Sequence, residues 1–261
     1  MRVVTFNVLH GRSLQDGRVD PVRLGEEIAS LGADVLGMQE VDRAQPRSGG
    51  VDIAAVAAAA MGAGTQCRFV PAVIGTPGED WTAAVDADDE RSDTRAYGIA
   101  LATRLPVRSW HILRLRAAPM RSVVADPGAR RRVILIQDEP RVLLAAVVDG
   151  PAGPMTVATT HLSFVPGWNV WQVRRVCREL RRLPAPRLLL GDLNLPGRLA
   201  GVVSGWRMLA RAATYPAADP RVQLDHVLAD GPTPAVLSTA VRTLRVSDHC
   251  ALVVDLADAP A

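Results

Sequence analysis

The chain contains no lysine; all 30 of its basic residues are arginine. Arginine throughout, beside abundant alanine, glycine and proline, reads first as the codon bias of a GC-rich genome and only second as chemistry. Cysteine is scarce. Cys67, Cys177 and Cys250 are odd in number, far apart and without a CxxC pair. They argue against a disulfide framework and a cysteine zinc site, and they suit a reducing compartment. Aromatic residues make up only 4% of the chain, and no single loop collects them. Long hydrophobic runs are missing as well. Runs such as Val142–Val148 have strand length, far short of the roughly 18 residues a membrane helix needs. The start of the chain, Met1 to Asn7, lacks the apolar region of a signal peptide. A soluble, cytoplasmic protein with no membrane span is expected.

What is present is ordinary globular composition: 48% hydrophobic and 22% charged residues in a chain of 261. Disorder is not expected from such a balance. No internal repeat, low-complexity segment or linker divides it, so a single domain over residues 1–261 is expected. The net charge of +3 hides an asymmetry. Residues 1–90 hold 7 Arg against 14 acids, whereas residues 91–180 hold 14 Arg against 6 acids. A protein that coats nucleic acid through overall charge is excluded, but a locally basic face is not.

Apolar patterning predicts strands at Arg2–Val8, Asp34–Met38, Tyr97–Ala102, Val107–Leu115, Val133–Gln137, Val142–Val148, Met155–His161 and Leu188–Leu190. Three more are expected around Leu224–Leu228, Val241–Val246 and Ala251–Val254. Asp20-Pro21 predicts a capped helix start, with Leu24, Ile28 and Leu31 on one face and Gly32 as the stop. Val51–Met61 and Trp168–Leu183 are the other clear helices. Gly75–Thr94 reads as a long polar loop with seven acids. Many strands with about four helices exclude a bundle, and the helical crossovers are too few for an alternating barrel. The residues therefore predict one α+β domain with two packed sheets.

The informative feature recurs where strands end. Apolar runs deliver Asn7, Gln39-Glu40, His161, Asp192-Leu193-Asn194, Asp225-His226 and Ser247-Asp248-His249. One acid after a strand is usually a cap or turn residue. Six such sites offering amide, carboxylate and imidazole together are better explained as one functional centre, because strand ends are where a rigid scaffold positions chemistry. The set suits phosphoryl transfer to water. Glu40 and Asp248 are hard oxygen ligands for Mg²⁺ or Mn²⁺, and Asn7 can complete that shell or orient a phosphate. His161 and His249 can donate to phosphate oxygens or carry protons. Asp225 can fix the His249 imidazole, Asp192 can orient or deprotonate water, and Asn194 can donate to a phosphate oxygen. No HExxH motif points to zinc.

At these residues the sequence resembles the endonuclease/exonuclease/phosphatase superfamily of metal-dependent phosphoesterases, which includes deoxyribonuclease-like and sphingomyelinase-like enzymes. The matching segments are Thr5-Phe6-Asn7, Gly37 to Val41, Tyr97 to Pro106, Thr159 to Leu162, Gly191 to Asn194, Leu224 to Val227 and Ser247-Asp248-His249. Each is weak alone, but the ordered set spans nearly the whole chain. The resemblance implies a four-layer α/β/β/α sandwich, two packed mixed sheets flanked by helices, with the site at one end of the sheets. It implies hydrolysis of a phosphate ester by in-line water attack with Mg²⁺ or Mn²⁺. By position, Glu40 corresponds to the principal metal ligand with Asn7 and Asp248 beside it. Asp192 and Asn194 correspond to the water-activating and phosphate-binding pair, and His161 and His249 to the two histidines, His249 paired with Asp225. The sequence departs from the deoxyribonuclease branch just before Tyr97-Gly98. A carboxylate partner for the first histidine belongs there, but Arg95 and Ala96 occupy the place and Asp93 is the nearest acid. His161 is therefore expected to lean on another group or to act mainly as a phosphate donor.

Several residues carry a plain structural reading beside the functional one. His10 is either a loop histidine satisfied by backbone or a residue lying over the site. His226, next to Asp225 on a strand, should face the other way and be structural. His111 is expected at the surface. The arginines along Trp168–Leu183 read as a solvated helix face before a polyanion site. Arg130-Arg131-Arg132 reads as a turn. Trp168 and Trp171 are expected to pack on the core, with base stacking or lipid contact as the alternative. The substrate is a phosphate ester, with nucleic acid slightly favoured on the basic middle third. A phospholipid, sphingomyelin-type or small-molecule substrate is the alternative. A non-catalytic binding module on the same fold is the third reading, disfavoured because Glu40, Asp192 and His249 are all retained.

Overall fold

The computed structural model describes residues 1–86, 93–119, 121–125 and 133–258. Asp88, Asp89 and Glu90 of the polar loop, and the Arg130-Arg131-Arg132 turn, lie outside the described residues. In chain order the first half comprises β1 (Arg2–Asn7), α1 (Pro21–Leu31), β2 (Val35–Arg43), α2 (Ile53–Met61), β3 (Gln66–Gly75), β4 (Trp81–Ala83), β5 (Ala96–Thr103) and β6 (Val107–Leu115). Then come β7 (Arg121–Ala125), β8 (Val133–Gln137), β9 (Arg141–Gly150), β10 (Gly153–His161), α3 (Trp168–Leu180), β11 (Arg187–Asp192) and α4 (Leu199–Ser204). The last strands are β12 (Arg207–Met208), β13 (Asp225–Asp230), β14 (Val236–Arg242) and β15 (Ala251–Leu256).

One sheet has seven strands in the order β14-β15-β1-β2-β5-β3-β4, and the other has six in the order β12-β13-β11-β10-β9-β6. Strands β7 and β8 form a separate two-stranded ribbon. Both large sheets are mixed for the same reason. Each contains one parallel pair, β1 with β2 and β10 with β11, joined by a crossover helix, α1 or α3. All other pairings are antiparallel. The expected four-layer α/β/β/α sandwich is what the chain adopts.

Alternation along the strands builds three apolar layers. Val3, Val35, Ile99, Leu101, Leu144, Val157, Leu188, Leu190 and Leu252 meet between the sheets. Phe6, Leu36 and Met38 point the other way, onto Leu24, Ile28 and Leu31 of α1 and Ile53 of α2. Ala158, Leu189 and Leu228 point outward in the second sheet, onto Val173, Val176 and Leu180 of α3 and Ala200 of α4. Each fully buried side chain of this size contributes roughly 1.5–3 kcal/mol. The sheets come close at Gly37, where an added Cβ would lie 2.7 Å from the Thr159 hydroxyl.

Helix α1 begins as the sequence predicts. The Asp20 carboxylate accepts from the Val22 and Arg23 backbone N–H groups, and Gly32 closes the helix in the left-handed region. Three expectations change. Strand β3 was not among the expected strands; its Pro71 sits at a register shift opposite β5, where the missing N–H is tolerated. Within the expected Gly75–Thr94 loop, Trp81–Ala83 pairs with β3 as β4. The strand expected at Val241–Val246 lies earlier, at Val236–Arg242; Val246 is buried against the helical layer without being in a strand. Helix α4, short and without an N-capping side chain, carries no sequence signal. No helix among the described residues is long and apolar enough to cross a membrane.

Candidate active site

The ends of the two parallel pairs point to the same edge of the sandwich, and the functional side chains gather there. In the second sheet they form one row. His161 ends β10, Asp192 ends β11 and Asp225 begins β13, with His161 in register with Asp192 and Asp192 with Asp225. Asp225 heads a strand instead of ending one, contrary to the sequence reading; because β13 runs antiparallel to β11, its start still lies at the same edge. By alternation all three share the face of Val157, Leu188, Leu190 and Val227, the face between the sheets. His226 takes the opposite face, is fully buried and bonds the Leu195 carbonyl at 2.8 Å, which is the expected structural role. Gly191 is required here. Its φ is +152°, and a Cβ would stand 2.1 Å from the Thr160 carbonyl oxygen.

In the first sheet, Asn7 ends β1 on the same inter-sheet face as Val3. Glu40 reaches that side only because β2 breaks register between Met38 and Val41, with Glu40 at φ +57°. Regular pleating would have aimed it outward with Leu36 and Met38; the bulge re-aims it. The neighbouring Gln39 spans the sheets, with its amide nitrogen donating to the Thr159 hydroxyl at 2.9 Å. Asp248 and His249 precede β15, which runs antiparallel to β1, so they too arrive at this edge. The Ser247 hydroxyl pins that loop by donating to the Asn7 carbonyl at 2.6 Å and accepting from the His249 N–H at 3.0 Å.

The structure thus brings together all eight residues singled out from the sequence. Asn7 is the link between sheets: its amide nitrogen donates to Glu40 at 3.0 Å and to Asp192 at 3.1 Å. Its side-chain oxygen Oδ1 accepts from the Leu9 N–H. Asp192 stands between the two imidazoles, with Oδ2 at 3.6 Å from His161 Nε2 and 3.8 Å from His249 Nε2. The Asn194 backbone N–H donates to its other oxygen at 3.0 Å. The Asn194 side-chain amide donates to the Leu162 carbonyl at 2.9 Å and lies 3.4 Å from His161 Nε2. His249 Nδ1 contacts Asp225 Oδ2 at 2.9 Å, the pairing expected from the sequence.

Among the described residues no carboxylate lies at His161 Nδ1. Instead Arg141, the first residue of β9, places Nη1 3.4 Å from that nitrogen. Arg141 is buried, near Asp138 at 3.4 Å and Glu139 at 4.0 Å. Asp93, exposed beside Thr94, takes no part. Sequence reasoning missed Arg141, although one signal was available: an arginine opening an otherwise apolar strand straight after Asp138-Glu139-Pro140. It also missed Tyr215, whose ring lies 4.8 Å from the His249 ring, and the Asp42–Arg47 pair. Arg47 donates twice to the buried Asp42, at 2.9 and 2.7 Å, and lies over the Tyr97 ring. His10, in the turn that follows Asn7, has Arg47, Asp42 and Arg12 as its charged neighbours. Burial and the Arg47 charge lower its imidazole to about 4.

Burial sets the electrostatics. It raises the Asp192 carboxyl to about 7, against the opposing pull of the His249 charge. Burial also pushes the His161 imidazole well below its ordinary value, and the Arg141 and His249 charges add to that. For His249 burial acts downward but loses. The Asp225 carboxylate, through charge and hydrogen bond and helped by Asp192 and Asp248, lifts it to about 10. Near neutral pH the site therefore pairs an imidazolium at His249 with a neutral imidazole at His161, around a carboxyl poised to exchange a proton.

The residues fit a divalent cation. Burial raises the Glu40 carboxyl; the Asn7 amide opposes this and the Asp248 charge adds to it. Two carboxylates held in mutual repulsion are relieved by a cation between them. Asp248 Oδ1 and Asp225 Oδ1 are buried with no hydrogen-bond partner among the described residues, a costly state for a carboxylate unless something pairs with it. Atoms of Asp192, Asp225 and His249 also lie within 4.8 Å of one another, a second grouping of metal-binding type. There the Asp225–His249 contact already occupies one ring nitrogen.

Known proteins are similar to this chain. The profile of the endonuclease/exonuclease/phosphatase family matches residues 4–249. Among solved structures, an endonuclease/exonuclease/phosphatase from Beutenbergia cavernae is 23% identical, with 98% of this chain and 71% of that one covered and a TM-score of 0.64. The human Nocturnin catalytic domain with bound sulfate is 17% identical, covering 99% and 94%, with a TM-score of 0.58. Sphingomyelinase C from Streptomyces griseocarneus is 16% identical, covering 98% and 99%, with a TM-score of 0.61. At these identities the structures share the fold. No curated protein matches the chain. With a family profile running from the first strand to His249, over every residue of the site, the chain belongs to the endonuclease/exonuclease/phosphatase family.

Proposed function

We propose that the protein is a divalent-metal-dependent phosphodiesterase, with Mg²⁺ or Mn²⁺ held by Glu40 and Asp248 beside Asn7. The observation that carries this reading is Asp192, a buried carboxyl raised to about 7 and set between a cationic and a neutral imidazole. Asp192 takes the proton of a water that attacks phosphorus in line; the ester bond opposite breaks, and the departing oxygen takes a proton from solvent water, leaving a phosphomonoester and an alcohol. Asn7 and the Asn194 N–H hold the Asp192 carboxyl in place. His249, kept charged by Asp225, stabilises negative charge on the phosphate. His161 and the Asn194 side chain flank the phosphate on the Arg141 side as neutral hydrogen-bonding groups. A bound divalent ion supplies further positive charge against the phosphate oxygens.

Nucleic acid is the first substrate class to test. Arg12, Arg116 and Arg198 are exposed on segments leaving this edge after β1, β6 and β11. A lipid phosphodiester is the second reading, favoured by the segment between β3 and β5. It leaves and re-enters the sheet beside the end of β2, and its exposed described acids Glu79, Asp80 and Asp93 would oppose a long polyanion. Turnover of bis-p-nitrophenyl phosphate with Mg²⁺ or Mn²⁺, abolished by EDTA and by His249→Ala, is the expected result. No metal-dependent turnover would leave a non-catalytic binding module. Plasmid DNA, RNA and sphingomyelin incubated in parallel then separate the substrate classes; lipid cleaved while DNA and RNA stay intact overturns the nucleic-acid preference.

A further inference from the structure

The helical layer over the six-stranded sheet presents a surface the reaction does not use. Along α3 and its last turn, Trp171, Arg174, Arg175, Arg178, Arg181 and Arg182 are exposed, at spacings that put them on one face. Arg182 pairs with Glu179 at 3.1 Å. Among the described residues, the side chains of Arg174, Arg175, Arg178 and Arg181 have no ion pair or hydrogen bond. Beside them α4 leaves two apolar residues outward, Val202 77% exposed and Leu199 40%, with Trp171 of α3 at 42%. Trp168 and Trp171 do not sink into the core as the sequence suggests. They stack on each other with centroids 4.8 Å apart, and the Trp168 indole donates to the Arg116 carbonyl.

A solvated arginine face is the plain reading, and a genome that encodes arginine in place of lysine would favour it. The other helical layer is the internal control. Helix α1 carries only Arg23 against Glu26 and Glu27, Arg23 is paired with Asp16 at 2.7 Å, and α2 carries no charge within its span. The same bias therefore did not produce the same surface on the opposite side.

We infer that the α3–α4 face docks on an anionic lipid bilayer. Unpaired arginines attract anionic headgroups, and Trp171, Leu199 and Val202 can enter the headgroup–acyl boundary among them. A nucleic acid would match the arginines, but it would gain little from bare valine and leucine, and the tryptophan pair is already stacked on itself. Helix α3 begins seven residues after His161, so a docked face holds the catalytic edge beside the headgroups. The inference concerns where the enzyme sits, and it holds whichever diester is cleaved.

The test is co-sedimentation of the full chain with vesicles of phosphatidylcholine alone or mixed with phosphatidylglycerol. Binding to the mixed vesicles only, weakened by salt, is expected. The triple variant Arg174→Gln/Arg175→Gln/Arg178→Gln should lose about 100-fold in partitioning. Its circular dichroism and its turnover of bis-p-nitrophenyl phosphate should be unchanged. Trp171→Ala with Val202→Ser should lose about 10-fold at unchanged charge. No binding to the mixed vesicles, equal binding by the triple variant, or tighter binding to duplex DNA than to vesicles overturns the inference.

Discussion

The interior of the sandwich and its active edge are made by the same strands and differ in what the last residue is. On β11, Leu188 and Leu190 fill the layer between the sheets, and one step further along that face stands Asp192. On β10, Val157 leads by way of Thr159 to His161; on β1, Val3 leads by way of Thr5 to Asn7. The apolar stretch and the polar end therefore have opposite energetic signs. The first stabilises the fold by removing apolar surface from water. The second costs free energy, visible in the raised Asp192 and lowered His161, and is held in place because the first is rigid. If that division is right, the edge can be disarmed without unfolding the protein, and the interior can be loosened without altering the chemistry.

The largest expected effect is at the edge. Asp192→Asn keeps the size and can accept only one of the two hydrogen bonds the carboxylate takes from Asn7 and the Asn194 N–H, and it cannot take a proton, so kcat/KM for bis-p-nitrophenyl phosphate should fall about 10³-fold, with thermal stability nearly unchanged. A fall in stability would mean the edge supports the fold. Next comes the interior. Leu190→Ala leaves a cavity between the sheets and should cost about 2–5 kcal/mol in urea unfolding, while the folded fraction turns over normally. Smallest is a site far from both. Asp20→Ala removes the α1 cap and should cost about 1 kcal/mol with no change in turnover, which calibrates the other two.

Much of this was legible in the sequence because it was local. The Asp20 cap, the apolar alternation and the polar residues after strands are short-range patterns, and the ordered motifs placed Asn7, Asp192, Asp225 and His249 at one edge. What was not legible depended on neighbours distant in sequence. The motif Gly37 to Val41 did name Glu40, but the bulge through which Glu40 reaches the site was not legible, its only local trace being a left-handed residue. Arg141 takes the place next to His161 from a strand twenty residues earlier. Strand β3 was not predicted; it contains Pro71, which is accommodated by the register shift against β5. The exposure of the Trp168–Trp171 pair depends on how α3 lies against β6 and α4, which no helix pattern specifies.

The central claim is that Glu40, re-aimed by the bulge, joins Asp248 in holding a divalent cation. Titration calorimetry of Mg²⁺ or Mn²⁺ into the protein and into its Glu40→Gln variant tests this most directly. The expected result is binding by the parent chain and at least about a 10-fold loss of affinity in the variant, with the two proteins melting at similar temperatures. Equal affinity in both would remove Glu40 from the ligand set and contradict the account.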